Sequence, residues 1–323
     1  MLIDRHKRQI DYLRISVTDR CNLRCIYCMP EYGVLQKPPC EILTFEEIAA
    51  IAKLAVNLGI NKIKITGGEP LLRRNLPRLF SLLFSISGLQ DISLTTNGVL
   101  FGRFAKELKE TGLKKVNISI DTLRHSSFER ITRFGCLDEV LKGIDAARSQ
   151  GFLVKLNVVV LRGINDNEIL DFARFAQEKN VTLRFIELMP MAHALKTSRD
   201  LFVSCAEIKN NLESLGALSP INTNLGSGPA RYYKVEGTSL IVGFISPISC
   251  KFCFDCNRLR LTADGLLMPC LNSKFGLNIK SPLRENKEKE VLALFKKAVY
   301  LKPEGHNLTL VSCAQGPMVQ IGG

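Results

Sequence analysis

Short β-rich runs alternate with amphipathic segments over the first ~190 residues of the chain. The β-rich runs cover residues 12–18, 62–66, 91–96, 115–120, 153–160 and 182–188. The segments between them carry apolar residues at helical spacing, and the clearest one starts with the capping box Thr44 and Glu47 and ends at Gly59. Further helices are predicted over 137–151 and 166–180. Six strand–helix units in succession predict a parallel sheet with helices outside it.

The same pattern discriminates between two α/β folds. No G-x-G-x-x-G sequence follows the first predicted strand, which argues against a doubly wound dinucleotide-binding fold. We therefore predict an α/β fold built on a partial (βα)6 TIM-like barrel. In such barrels the chemistry takes place at the C-terminal ends of the strands and on the loops that follow them.

The pattern changes after residue 200. A helix is predicted from the capping box Ser204 and Glu207, and a last helix over 286–300, whereas the Gly-rich end from 305 is predicted to be non-helical. Two hairpins are predicted, one over 231–247 and one over 257–270 with its turn at Asp264-Gly265. The predicted domains are a barrel over 1–200 and a C-terminal α+β extension over 201–323.

Composition narrows the function classes. The formal net charge of +13 favours an anionic partner such as a nucleotide. Four histidines in no metal-binding spacing argue against histidine-based zinc hydrolysis, and the absence of Trp argues against a stacking platform for nucleic acid. No apolar run is long enough for a membrane helix, and no secretory signal is recognisable. We expect a cytoplasmic protein, in which the eleven cysteines are metal ligands or buried apolar side chains.

Three cysteines follow the first predicted strand in the pattern C-x3-C-x2-C: Cys21, Cys25 and Cys28. A zinc ion would need a fourth ligand, for which Cys40 is nearest, whereas an iron–sulfur cubane with three protein thiolates keeps one iron open. Tyr27 precedes the last cysteine, and Thr66-Gly67-Gly68-Glu69-Pro70 closes the second strand. Together these motifs resemble the radical S-adenosylmethionine superfamily.

A second trio lies near the C-terminus, with Cys253, Cys256 and Cys270 in the pattern C-x2-C-x13-C. The run 257–262, Asn-Arg-Leu-Arg-Leu-Thr, follows Cys256, and the chain ends in Gly322-Gly323. These motifs resemble those of the GTP 3′,8-cyclases of molybdenum cofactor biosynthesis. The resemblance covers essentially the whole chain and includes the segments 95–98, 119–123, 162–166, 184–191 and 228–233. Cys250 gives the second trio a possible fourth thiolate. We interpret it as a bystander, because the family leaves one iron of this cluster open for the guanine ring.

The resemblance implies a radical reaction that uses two [4Fe–4S] clusters and S-adenosyl-L-methionine. The first cluster binds and cleaves S-adenosylmethionine, and the radical so formed takes the ribose 3′ hydrogen of GTP. The ribose carbon then bonds to guanine C8, and the product passes to a separate pyranopterin synthase. The family also implies a homodimer and an electron donor that the sequence does not identify.

The resemblance further assigns roles by position. Five residues are implied to contact S-adenosylmethionine: Tyr27, Gly68, Glu69, Ser119 and Met189. Seven are implied to contact GTP: Arg14, Lys62, Lys64, Thr95, Lys155, Arg258 and Arg260. The implied catalytic residues are Arg184, Arg258, Arg260, Gly322 and Gly323, since the tail is expected to enter the active site.

Basic residues in apolar strands are costly unless they are paired, which independently indicates an anion inside the barrel. The chain departs from the family pattern at two positions. Lys64 stands where an arginine is expected, and Val319 where a small polar residue is expected. Lysine can contact a phosphate but lacks the bidentate fork of arginine.

Two other functions remain open from the residues. A peptide-modifying radical enzyme would also carry an auxiliary cluster after the barrel, although such clusters are often fully ligated. A zinc ribbon that binds nucleic acid would use Cys250 with the second trio, together with the net positive charge. Iron per chain, with Cys250 intact and replaced, tests the first alternative. Metal analysis tests the second, because a zinc protein is colourless and an iron–sulfur protein is brown.

Overall fold

A computed structural model describes residues 1–190, 199–223, 225–226, 228–309 and 318–322. Its strands are β1 (Leu2–Ile3), β2 (Gln9–Ile10), β3 (Tyr12–Ser16), β4 (Lys62–Thr66), β5 (Asp91–Thr96), β6 (Lys115–Ser119), β7 (Leu153–Val159), β8 (Thr182–Ile186), β9 (Leu218–Ile221), β10 (Arg231–Val235), β11 (Ile241–Ile245), β12 (Arg258–Leu261), β13 (Leu266–Met268) and β14 (Leu277–Asn278). Its α-helices are α1 (Phe45–Asn57), α2 (Leu76–Phe84), α3 (Phe101–Glu110), α4 (His125–Thr132), α5 (Leu137–Ser149), α6 (Ile169–Glu178), α7 (Cys205–Leu212), α8 (Lys280–Arg284), α9 (Glu288–Tyr300) and α10 (Met318–Ile321).

One large sheet organises the molecule. Strands β3 to β8 are adjacent and parallel in chain order, as the alternating pattern predicts. The C-terminal part of the chain continues this sheet on both sides, because β12 pairs in parallel with β3 and β11 pairs in parallel with β8. The antiparallel strands β13 and β14 extend one end, and β10 and β9 extend the other. The prediction of an open partial barrel is confirmed, with eight parallel strands in a row.

Several local predictions are also confirmed. The capping boxes at Thr44/Glu47 and Ser204/Glu207 both form, so each helix starts where its polar cap satisfies free backbone N–H groups. The β10–β11 and β12–β13 hairpins both form, and Gly265 takes a positive φ of 86° in the second turn. The last long helix starts at Glu288 rather than at 286. The expectation of a non-helical end is wrong at Met318–Ile321, which forms one helical turn.

The apolar core lies between the sheet and the helices around it. Alternate strand residues such as Leu13, Ile63 and Leu94 are buried against helix residues such as Ile48 and Leu79. The opposite faces of the same strands carry polar residues at Arg14, Lys64 and Asn117, among others. Because strand side chains alternate between the two faces, the polar ones all point into the concave side of the sheet. Polar and charged residues of neighbouring strands therefore share the concave side.

Candidate active site

A cavity of about 340 Å³ lies on the concave side of the sheet. The last residues of several parallel strands line it, including Thr66, Thr96, Ser119 and Val159. All six predicted cysteine ligands line the same cavity. The two trios therefore face one space, although they are more than 220 residues apart in the chain.

The first trio lies on the loop that follows β3. The backbone N–H of Cys28 donates to the carbonyl of Cys25 at 2.9 Å, so a turn holds these two residues close together. Burial raises the pKa of Cys21 to about 11 and that of Cys28 to about 12, and the pKa of Cys25 also lies well above its ordinary value. Asn97 Nδ2 and the backbone N–H of Leu23 donate to Cys21 Sγ at 3.8 and 3.4 Å. Three thiols with N–H donors aimed at a sulfur fit a metal–sulfur cluster, whose binding displaces their protons.

The second trio lies on the loop before β12 and at the end of β13. It differs from the first in its electrostatics. Burial raises the pKa of Cys256, but the positive charges of Arg258 and Lys302 outweigh that effect and lower it to about 6. Lys302 Nζ donates to Cys256 Sγ at 3.5 Å. A thiol that is ionised near neutral pH is a ready metal ligand.

Cys250 does not line this cavity. It is exposed and faces a neighbouring pocket of about 320 Å³, with Cys205, Lys209 and Tyr233 in its wall. This placement favours the interpretation of Cys250 as a bystander, which stays a prediction. Within the described residues, no three Cys, His, Asp or Glu side chains converge on a position for a single metal ion.

Positive side chains line the cavity between the two trios. The parallel register places Arg260 beside Arg14 and Arg14 beside Lys64, so these three share one row across β12, β3 and β4. Arg184 and Arg258 complete the group on the cavity wall. Burial, with repulsion from Arg258 and Arg184, lowers the pKa of Arg14 to about 10.

Other members of this group show the same repulsion. Burial, followed by the charges of Arg184, Arg14 and Lys155, lowers the pKa of Lys64 well below its ordinary value. The pKa of Arg260 is lowered by burial and then by Arg14 and Arg258. The cations are therefore held together against their mutual repulsion, which an anion in the cavity would relieve.

The acidic residues of the cavity wall are already engaged. Asp121 accepts from Tyr27 Oη at 2.5 Å and from the backbone N–H of Val159 at 2.8 Å, and burial raises its pKa to about 6. The carboxylate of Glu187 accepts from the backbone N–H groups of Cys205, Ile248 and Ser249 at 3.0, 3.0 and 2.9 Å, and also from the Ser249 hydroxyl. Glu187 thereby fixes the loop that leads into the second trio.

Four of the five predicted S-adenosylmethionine contacts line the cavity, and one does not. Tyr27, Gly68, Ser119 and Met189 line the cavity. Glu69 does not, because its fully buried carboxylate turns back to accept from the backbone N–H groups of Leu71 and Asn97 and from Thr96 Oγ1, at 3.0, 2.7 and 2.7 Å. Burial raises its pKa to about 7 despite these hydrogen bonds. Its contact with the ammonium group of the cofactor stays a prediction.

Five of the seven predicted GTP contacts line the cavity, and two do not. Arg14, Lys64, Thr95, Arg258 and Arg260 line the cavity, as does the predicted catalytic residue Arg184.

Lys62 and Lys155 do not line the cavity. Lys62 Nζ pairs with Asp11 at 2.7 Å, and Lys155 Nζ donates to the carbonyl of Leu225. The roles of both lysines stay predictions.

The C-terminal segment reaches the site. Met318 and Val319 line the cavity, and the backbone N–H of Met318 donates to the carbonyl of Cys28 at 3.3 Å. Arg260 donates to the carbonyl of Gly322 at 2.8 Å. Gly323, the other predicted tail residue, lies outside the described residues. The tail therefore contacts both the first cysteine loop and the row of cations.

Sequence reasoning missed several polar residues in the cavity wall and next to it. Asn117 Oδ1 accepts from the wall residue Arg184 at 2.5 Å, whereas Asn157 Oδ1 is buried and has no hydrogen-bond partner among the described residues. Both interrupt apolar strands, which is the signal that drew attention to the lysines and would have found them too. Lys302, by contrast, follows a helix in a sequence with no recognisable motif.

Comparison with known proteins decides the family. A profile described as Radical SAM superfamily matches residues 15–176, and one described as Molybdenum Cofactor Synthesis C matches residues 181–308. The GTP 3′,8-cyclase of Moorella thermoacetica is 49% identical over 322 residues, which cover 99% of each chain. That of Desulforamulus reducens is 47% identical over 325 residues and covers 100% of each chain. The chain belongs to the GTP 3′,8-cyclase family.

The fold agrees with that of other radical S-adenosylmethionine proteins. The crystal structure of Streptococcus suis SuiB bound to S-adenosylmethionine matches with a TM-score of 0.63, over 89% of this chain and 66% of SuiB. Its sequence is only 14% identical, so the match supports the fold alone. A GTP 3′,8-cyclase of the radical superfamily uses a [4Fe–4S] cluster and S-adenosylmethionine, and the first trio provides thiols suited to that cluster. None of the described helices combines the length and apolarity needed to cross a bilayer.

Proposed function

We propose that the chain cyclises GTP to (8S)-3′,8-cyclo-7,8-dihydroguanosine 5′-triphosphate, the first step of molybdenum cofactor biosynthesis. The observation that carries the proposal is the surplus of positive charge between the two cysteine trios. Arg14, Lys64, Arg184, Arg258 and Arg260 line one cavity, and the acidic side chains of its described wall are already hydrogen-bonded. A triphosphate matches this surplus, because each charge-assisted hydrogen bond contributes about 1.5–3 kcal/mol.

The two trios give the cavity two ends. We infer that Cys21, Cys25 and Cys28 hold the cluster that works with S-adenosylmethionine, and that Cys253, Cys256 and Cys270 hold a second cluster. When bound, the first cluster and S-adenosylmethionine supply the one-electron chemistry that removes the ribose 3′ hydrogen. The protein's own task is to keep the ribose and guanine of one GTP in register between these ends.

The residues divide this task by position. The row of Arg260, Arg14 and Lys64 is suited to bind and orient the phosphates. Arg184, fixed by Asn117, is suited to stabilise negative charge when the cyclised nucleotide takes up an electron and a proton. The segment 318–322 covers the cavity beside the first trio and thereby excludes water.

The test is anaerobic. The full-length protein is reconstituted with iron and sulfide and then given S-adenosylmethionine and a reductant, with or without GTP. We expect 5′-deoxyadenosine to form in proportion to GTP and a cyclised nucleotide to accumulate. Formation of 5′-deoxyadenosine at the same rate without GTP would remove the substrate assignment. Iron analysis of the protein and of a Cys250→Ala variant tests whether the second trio suffices for its cluster.

The remaining parts of the proposal concern partners and location. Family resemblance suggests a homodimer, a cytoplasmic location, a separate electron donor and a pyranopterin synthase that receives the product. Size-exclusion chromatography with light scattering tests the first of these. A mass corresponding to one chain at micromolar concentration would contradict it.

A further inference from the structure

Lys302 places a buried positive charge against the second trio. Its side chain is 2% exposed although lysine is rarely buried. Its Nζ lies 3.5 Å from Cys256 Sγ, 2.7 Å from the carbonyl oxygen of Arg258 and 3.0 Å from that of Pro269. An ammonium group has three N–H donors, so all of them point at the segments that carry Cys256 and Cys270.

The surroundings of Lys302 contain no carboxylate partner within the described chain. The charged groups that act on it are the thiols of Cys256 and Cys270 and the cations Arg258 and Arg8. A buried ammonium beside two other cations is unfavourable unless an anion balances it. The anions that can balance it are the thiolates of Cys256 and Cys270 and the cluster that they would bind.

A second buried cation fixes Lys302 relative to the trio. The guanidinium of Arg8 donates to the carbonyl of Cys253 at 2.6 Å and to those of Pro303 and Glu304 at 2.6 and 2.8 Å. Asp4 holds this guanidinium from its other side at 2.6 Å. The segment after Lys302 and the first cysteine of the trio are therefore attached to the same side chain. These hydrogen bonds keep the contact between Lys302 Nζ and Cys256 Sγ in one geometry.

We propose that Lys302 is a positioning residue that holds Cys256 for the second cluster and raises the reduction potential of that cluster. Hydrogen bonds to the sulfurs and the local net charge are two of the factors that set iron–sulfur potentials. A positive charge at this distance favours the reduced, more negative cluster. The inference rests on the proposed second cluster but not on the identity of the substrate.

The experiment isolates the second cluster in the full-length chain. Cys21, Cys25 and Cys28 are replaced by Ala, and the protein is reconstituted anaerobically. Three further variants are made in this background: Lys302→Met, which removes charge and donors, Lys302→Gln, which keeps donors, and Lys296→Met as an exposed control. The readouts are iron per chain, the thermal melt and the midpoint potential from a redox titration followed by electron paramagnetic resonance.

We expect Lys302→Met to shift the one-electron reduction equilibrium at least tenfold towards the oxidised cluster, which corresponds to a potential about 59 mV lower. Lys302→Gln should shift it less, and Lys296→Met should leave it unchanged. A Lys302→Met variant that melts like its parent but binds no second cluster also supports the positioning role. In that case, or if Lys302→Met fails to fold, Lys302→Gln decides by its potential.

Two results overturn the inference, and they have different meanings. If the parent assembles no cluster, the second cluster of the proposed function is wrong and this inference falls with it. If the parent assembles the cluster and both Lys302 variants keep its potential, Lys302 has no such role and the proposed function stands. A shift of equal size in Lys296→Met would also exclude a specific effect of Lys302.

Discussion

At the scale of residues, the site is defined by cations on the cavity wall that repel one another. Lys64 is the clearest case in the cavity wall, because its neighbours Arg14 and Arg184 carry the same sign. Such a residue destabilises the empty protein and gains most when an anion arrives. Binding and folding can therefore be separated by replacing such a residue.

Replacing Lys64 by Met should weaken GTP binding. If the lysine makes one charge-assisted hydrogen bond to phosphate, its loss costs about 1.5–3 kcal/mol, or roughly 10-fold to 150-fold in affinity. Isothermal titration calorimetry with GTP measures the effect. Binding of S-adenosylmethionine serves as the internal control and should be unchanged. Equal loss of both affinities would point to misfolding instead.

The affinity for GTP should fall as the pH rises towards 10.5, the ordinary pKa of lysine. Burial and neighbouring cations hold the pKa of Lys64 well below its usual value, so the ammonium loses its proton in a range where free lysine would keep it. A neutral amine no longer attracts phosphate. In Lys64→Arg the guanidinium stays charged, so the affinity should depend less on pH. Parallel pH profiles for the two proteins would contradict this account.

Replacing Glu187 by Gln should loosen the second cysteine loop. The carboxylate accepts from three backbone N–H groups and one hydroxyl, and a neutral amide accepts more weakly and brings two donors of its own. We expect the free energy of unfolding to fall by about 1–3 kcal/mol in urea and the iron content to drop. Glu178→Gln, on the exposed face of α6, should change neither. Unchanged iron in Glu187→Gln would contradict the proposed role.

At the scale of elements, the turn after β4 and the C-terminal helix α10 fit closely together. A Cβ on Gly68 would lie 2.3 Å from the carbonyl oxygen of Arg20 and 2.6 Å from Val319 Cγ2. The glycine therefore lets three separate segments meet at the first trio. It also explains the buried Val319, whose side chain fills the space that Gly68 leaves.

Gly68→Ala should therefore be destabilising. The contact with the Arg20 carbonyl involves backbone on both sides and cannot be relieved by a rotamer change, so we expect a loss of about 1–3 kcal/mol in unfolding free energy. Affinity for S-adenosylmethionine should fall with it. A Cβ on Gly102, within α3, would meet Gly143 Cα at 4.0 Å, an ordinary van der Waals contact, so Gly102→Ala should be neutral or slightly stabilising. A stable Gly68→Ala variant with normal affinity would refute the close fit.

At the scale of the molecule, the sheet does not stop at the predicted boundary near residue 200. Strands β11 and β12 belong to the C-terminal part, yet they cover the two edges of the β3–β8 sheet. The second trio is brought opposite the first because the chain returns to the β3 edge through β12. The positions of the two cysteine trios thus depend on one continuous sheet.

A fragment that ends at residue 190 should not fold as an independent barrel. It would expose the backbone hydrogen-bonding groups of both β3 and β8, and open edges of this kind promote aggregation. We expect insoluble or non-cooperatively melting material, in contrast to the full-length chain. A soluble fragment with a sharp melt near that of the full-length protein would show that the barrel is autonomous.

Much of this architecture could be read from the sequence, because it depends on local patterns. The period of apolar residues predicted the six central strands, the capping boxes predicted two helix starts, and the cysteine spacing predicted both trios. The hydrogen-bond partners of buried charged side chains could not be predicted from such local patterns. The carboxylate of Glu69, for example, accepts from backbone N–H groups that only the folded turn brings to it. Lys302 carried no signal at all.

The sequence by itself thus determined the order of strands and helices, the spacing of the two cysteine trios and the resemblance to the family. Only the tertiary structure decided that β11 and β12 continue the sheet at opposite edges, that Arg260, Arg14 and Lys64 form one row, and that Lys302 meets Cys256. The physical reason is the range of the interactions. Apolar periodicity and capping act between residues close in the chain, whereas strand pairing and charge burial join residues that are far apart in it.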